Sequence, residues 1–97
     1  MLKIKPKKRK PMRPTLYAKV VDLEGGYDNE EEFIRKHHKI GDVFQVTDID
    51  MGGWHTDIYE GDKCYNSVYF DFFLDAECTQ SVDIFDDPEF NPYKRVV

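Results

Sequence analysis

Seven cations and three prolines crowd into residues 1–14, and no acid stands among them. Lys3, Lys5, Lys7, Lys8, Arg9, Lys10 and Arg13 repel one another, while Pro6, Pro11 and Pro14 withhold backbone donors. Like-charge repulsion and proline both oppose packing, so residues 1–14 read as an extended basic arm. The fold must come from residues 15–97, enough chain for one small domain with a modest core. This body keeps seven cations against all 19 acids of the chain. Between residues 40 and 93, Lys63 is the only cation among 13 acids.

The body reads as mainly β with one short helix. Thr15–Asp22 is strand-prone, with Leu16, Ala18 and Val20 alternating against Tyr17, Lys19 and Val21. Gly25-Gly26 ends it. Asp28 is the expected N-cap, with Glu31 completing a D-x-x-E box, and a helix is predicted over about residues 29–39. Its acids lie at the start and its bases at the end, as the helix dipole favours. Phe33 and Ile34 are its expected core anchors, and Gly41 closes it.

Strands are then expected at Val43–Ile49, Trp54–Glu60, Asn66–Phe73 and Val82–Phe85, separated by Asp50–Gly53, Gly61-Asp62 and the polar stretch Leu74–Ser81. Phe90 and Tyr93 are expected to pack back onto the strands. Five short strands with a long insertion after the first predict a small closed SH3-like barrel, with an OB-fold as the alternative. The helix position, between the first and second strands, favours the SH3-like form.

Several function classes find no support. No run approaches the ~20 apolar residues of a membrane span, and no apolar segment follows the basic N-terminus as in a secretory signal. Cys64 and Cys78 read as free thiols in a reducing cytosol, which places the protein in the cytoplasm. His37-His38 are adjacent and diverge on a helix, and Asp48-Ile49-Asp50-Met51-Gly52 lacks the later ligands of a calcium loop. No metal or other cofactor is expected. His55 and Asp57 alternate on a strand and share a face, the one pairing with catalytic chemistry in it, but no nucleophile has a motif context. Trp54, Tyr59, Tyr65, Tyr69 and Phe73 form a candidate outward aromatic patch.

Two charge features carry the binding hypotheses. Acids spread over several strands and turns give a surface drawn to basic grooves, where carboxylates substitute for phosphates. Asp48, Asp50, Asp57, Asp71, Asp86 and Asp87 are the candidate partner-binding residues. In the alternative, Lys7, Lys8, Arg9, Lys10 and Arg13 contact nucleic acid directly, with salt-dependent affinity.

A set of local patterns adds a resemblance. Ile40-Gly41-Asp42-Val43-Phe44 leads into Val46-Thr47-Asp48-Ile49-Asp50-Met51-Gly52. Tyr65-Asn66-Ser67-Val68-Tyr69-Phe70-Asp71-Phe72 follows, then Asp83-Ile84-Phe85 and Phe90-Asn91-Pro92-Tyr93. With these, Lys39–Tyr93 resembles small proteins encoded in phages and prophages of low-GC Gram-positive bacteria. The resemblance implies a phage origin and a fold, and it transfers no site residues. Phages carry short acidic proteins that inhibit CRISPR nucleases, restriction enzymes and uracil-DNA glycosylase. By that analogy the expectation is a non-enzymatic accessory protein, monomeric or homodimeric. It would dock on a basic host protein or a protein–nucleic acid complex, an anti-CRISPR or other anti-defence inhibitor being the concrete case.

Overall fold

The computed structural model describes residues 15–94, so the basic arm with Lys7, Lys8, Arg9, Lys10 and Arg13 lies outside the described residues. The elements are β1 (Leu16–Val20), α1 (Asp28–His37), β2 (Val43–Val46), β3 (Asp48–Asp50), β4 (Asp57–Glu60), β5 (Lys63–Asn66), β6 (Phe70–Phe73) and β7 (Ser81–Val82). Short 3-10 turns occupy Ser67–Tyr69 and Pro92–Lys94. All pairings are antiparallel and make two sheets, one ordered β2-β1-β6-β7 and the other β3-β4-β5. The expected closed barrel is corrected accordingly: among the described residues the ladders form two separate sheets.

The alternation read in the first strand holds, with Leu16, Ala18 and Val20 all fully buried. They meet Phe44 and Val46 of β2, Phe70 and Phe72 of β6, and Ile58 and Tyr65 of the second sheet in one core. Phe44, Tyr65 and Phe70 meet edge-on or tilted, with ring centroids 5.4–6.0 Å apart, as aromatic quadrupoles prefer. Of α1's two expected anchors only Ile34 is buried. Phe33 is half-exposed and packs its ring 5.7 Å from Tyr65 of β5.

Thr47 divides the expected strand Val43–Ile49 into β2 and β3. Its N–H and its hydroxyl both donate to the Tyr59 carbonyl, at 2.9 and 3.1 Å, and its hydroxyl accepts the Gly61 N–H at 2.9 Å. Residues 43–50 thereby pass from the first sheet into the second. The β4–β5 turn fits the expectation, and Gly61 supplies its positive φ of 62°.

The expected strand Asn66–Phe73 is likewise interrupted. Asn66 Oδ1 accepts the Val68 N–H at 3.1 Å and starts the 3-10 turn. The turn breaks the two-residue period, so Val68 points out while Tyr69 and Phe70 both point in. Asp83 stops the last strand early, because its side chain accepts the Phe85 N–H at 3.0 Å. Phe90 packs into the core as expected, but Tyr93 is exposed.

The helix begins one residue earlier than its sequence signal suggests. Tyr27, not Asp28, is the N-cap, and Glu30 rather than Glu31 reaches back to accept the cap N–H, at 3.1 Å. Glu31 instead accepts the Gly25 N–H at 3.2 Å, which ties the preceding loop to the first turn. His37 ends the helix, and His38 is the C-cap.

Candidate functional site

Pleating decides which acids share a surface. In the second sheet Asp48 lies opposite Tyr59, Asp50 opposite Asp57, and Tyr59 opposite Cys64. Residues directly opposite on antiparallel strands share a face, so Asp48, Asp50, Asp57, Tyr59 and Cys64 all stand on one side. Ile58 and Tyr65 occupy the other side and are buried. Three of the six candidate carboxylates therefore form one outward acidic face.

Asp50 and Asp57 are a like-charge pair on opposite strands, an arrangement that costs sheet stability. Each is partly compensated. Asp50 Oδ1 accepts the Gly52 N–H at 2.9 Å, and Asp57 Oδ1 lies 2.9 Å from His55 Nε2. The same His55 nitrogen is 3.6 Å from Glu30 Oε2, so α1 adds a further acid at the edge of this face.

The neighbouring groups register that charge. The Tyr59 hydroxyl titrates above its ordinary value, first through its bond with Cys64 and the charge there, then through burial and the charges of Asp57 and Asp50. Although Cys64 is exposed at the surface, partial desolvation pushes its thiol up against the Tyr59 bond, which lowers it, and Asp57 and Asp50 push it further. A raised thiol is the reverse of what an activated cysteine nucleophile requires. Cys64 and Cys78 are both free.

The remaining candidates lie elsewhere. Asp71 is exposed on β6, opposite Lys19 in the first sheet. Asp86 pairs with Lys94 Nζ at 3.4 Å, and Asp87 Oδ1 accepts the Glu89 N–H at 2.9 Å in the turns after β7. The proposed aromatic patch is corrected: Tyr65 and Tyr69 belong to the core. Trp54 is fully exposed, in the loop before β4 rather than on a strand. His55 and Asp57 do come together, with His55 on that loop and Asp57 on β4.

A second polar cluster escaped the sequence reading. His38 lies between Asp42 and Glu60, with ring nitrogens 3.1 and 2.8 Å from their oxygens, and Tyr65 donates its hydroxyl to Glu60 at 3.1 Å. Burial and the Glu60 charge hold the Tyr65 hydroxyl far above the usual phenol range. The i,i+4 spacing of His38 and Asp42 was the available signal, but Glu60 lies 22 residues on and only the fold brings it near. Among the described residues no group of three His, Cys, Asp or Glu side chains is placed to hold a metal ion. No helix there is long and apolar enough to cross a membrane.

An antiparallel two-sheet body with one acidic outer face defines a small β-rich protein with a candidate interaction surface. The family model described as Bacteriophage T4 protein Y07B matches residues 15–96, and the chain belongs to that bacteriophage protein family. The phage element of the resemblance is thus carried by the family, whose description names no Gram-positive host. The basic arm falls outside the matched span. No curated protein and no solved structure matches the chain.

Proposed function

We propose that this phage accessory protein acts by binding, without catalysis, in the host cytoplasm. The face formed by Asp48, Asp50 and Asp57 docks on the basic surface of a host protein, where its carboxylates occupy positions that nucleic-acid phosphates would take. An anti-CRISPR or other anti-defence inhibitor is the concrete form. The observation that carries the reading is the pairing of Asp50 directly opposite Asp57. Folding alone gains nothing from a like-charge pair there, whereas a basic partner does. Membership of a phage family favours an accessory role.

The strand order supports an SH3-like reading of the body. One bent segment, residues 43–50, serves both sheets, and a 3-10 turn separates β5 from β6.

The test is capture of host proteins by the tagged full chain, beside a D48K/D50K/D57K triple variant whose fold is checked by circular dichroism. One host protein should be captured by the wild type, displaced by DNA or RNA and lost with the triple variant. Asp71→Lys and Asp86→Lys serve as controls that keep it. A folded triple variant that still captures the same protein removes the acidic face from the mechanism.

The cations of residues 1–14 favour a second reading, direct contact with nucleic acid. It expects a gel shift at low salt that disappears when residues 1–14 are deleted, and the absence of any shift ends it.

A further inference from the structure

A cleft of about 310 Å³ opens between α1 and the β4–β5 hairpin, at the edge of the acidic face. Glu30 and Phe33 line it from the helix, and Asp57, Cys64, Tyr65 and Asn66 from the strands. Among the described residues that line it are two carboxylates and no lysine or arginine. Both carboxylates are well covered, with side chains 24% and 30% exposed. Partly buried charges of one sign call for a counter-charge.

Nothing on the described part of the chain supplies enough. His55 offers one nitrogen to both, 2.9 Å from Asp57 and 3.6 Å from Glu30. A single imidazole carries at most one positive charge, so the pair stays net negative whichever form His55 takes. Glu30 Oε1 is committed to the Tyr27 N–H at 3.1 Å and to the Asn66 amide at 3.2 Å. Those two bonds hold the Glu30 side chain in place, with Asn66 itself buried. The half-exposed Phe33 adds an aromatic surface beside the acids.

We propose that this cleft receives the guanidinium of an arginine side chain from the protein's partner. A guanidinium is planar, carries several donors in a fixed fork, and stacks on aromatic rings. The fork suits two carboxylates on facing walls, and the stacking suits Phe33. An ammonium, being a compact point charge, uses the acids but not the ring as well. The inference rests on the reading of the neighbouring face as a dock for a basic protein and names the side chain that anchors it.

The test titrates the full-length, isotope-labelled protein with a capped pentapeptide, one arginine flanked by glycine and serine, and follows amide signals by NMR. Saturable shifts centred on Glu30, Phe33, Asp57, Cys64 and Asn66 are expected at near-physiological salt. The same peptide with citrulline, which keeps the shape and loses the charge, should leave them unmoved. The lysine peptide should bind several-fold more weakly. Glu30→Gln keeps an acceptor for the helix cap and should weaken arginine binding about tenfold, as loss of one charged hydrogen bond does. Asp57→Asn provides an independent second variant, and Asp71→Asn should change nothing. Equal shifts from the citrulline peptide, or shifts spread over every surface acid and abolished by salt, overturn the proposal.

The titration needs no host protein, so it separates the two readings. Loss of host capture in the D48K/D50K/D57K variant with no effect of Glu30→Gln on capture or on the titration sinks the cleft alone. Arginine binding in the cleft with capture untouched by a D48K/D50K double variant, which leaves Asp57 in place, sinks the acidic-face reading alone.

Discussion

His38 Nε2 sits 2.8 Å from Glu60 Oε1, joining the C-cap of α1 to the last residue of β4. The ring stacks on Phe44 with centroids 4.8 Å apart, and only 11% of the side chain is exposed. Its other nitrogen faces Asp42 at 3.1 Å. His38→Ala removes the stack and leaves two carboxylates without their shared partner. It should destabilise the protein by about 1–3 kcal/mol, the range for disrupting a part-buried charged hydrogen bond. The urea midpoint should fall with the slope unchanged. An unmoved midpoint would show that the cluster contributes nothing.

Gly26 and Tyr69 make a second tight relationship. A Cβ at Gly26 would collide with the Tyr69 hydroxyl, and that ring is fully buried. The hydroxyl has no hydrogen-bond partner among the described residues. Gly26→Ala should therefore cost about 1–3 kcal/mol by overpacking. Tyr69→Phe removes an unsatisfied polar group and should be neutral or slightly stabilising. Combined, the two should be less damaging than their sum, because the phenylalanine removes the nearer colliding atom, the oxygen, although the ring carbon that bore it still stands 2.7 Å from the new Cβ. Strict additivity in the double-mutant cycle would contradict the contact.

The fold was legible where a local signal governs the outcome. Leu16, Ala18 and Val20 announce β1 by alternation, and Gly61 marks the β4–β5 turn. Local signals failed where a single side chain overrides the pattern: Thr47 bends one strand into two sheets, and Asn66 starts the turn that pulls Tyr69 inward. The helix start slipped by one residue because Glu30 and Glu31 are equal candidates until the loop is built. For the candidate site, alternation puts Asp48 and Asp50 on one side, but bringing Asp57 to that face depends on the β3–β4 register. Glu30 joins only through the seating of α1, which no spacing in the sequence encodes.

The state of Cys64 is checkable by its chemistry. Partial desolvation first, opposed by the Tyr59 bond, and then Asp57 and Asp50 raise its thiol above the ordinary value. At a pH just below that of a free thiol, Cys64 holds less thiolate and should react with iodoacetamide more slowly than cysteine in a short peptide. Asp57→Asn withdraws one of the repelling charges, so alkylation of Cys64 should accelerate. Mass spectrometry after timed quenching follows Cys64 and Cys78 separately. No acceleration in the folded variant would remove Asp57 from the neighbourhood of the thiol.

Acid sensitivity follows from two aspartates. The Lys39 N–H, at 3.1 Å, and then His38 hold the Asp42 carboxyl below its ordinary 3.8. The Thr79 hydroxyl, with the Gln80 and Thr79 N–H groups, does the same for Asp75. A carboxyl depressed in the folded state stabilises that state above its unfolded pKa, and the contribution is lost as pH falls through the folded value. Stability should thus decline from about pH 5 to about pH 2. Asp42→Asn and Asp75→Asn should each flatten that decline, measured by urea unfolding at successive pH values. Parallel curves for wild type and both variants would refute it.

Trp54 is the only tryptophan and is fully exposed, on the loop between β3 and β4 and one residue before His55. In that position it adds nothing to the core, so Trp54→Ala should change stability by less than about 0.5 kcal/mol. Emission from the free protein should match a water-exposed indole and shift little on unfolding. An exposed indole beside an acidic face is well suited to anchor a partner, because tryptophan is enriched among the few interface residues that dominate affinity. Docking of a basic protein on Asp48, Asp50 and Asp57 should shift the emission to shorter wavelength. Trp54→Ala should weaken that binding at least tenfold while the fold stays intact, a change of about 1.4 kcal/mol or more. If a partner binds the face with unshifted emission and the alanine variant binds equally well, the contact ends at the carboxylates and the loop stays outside it.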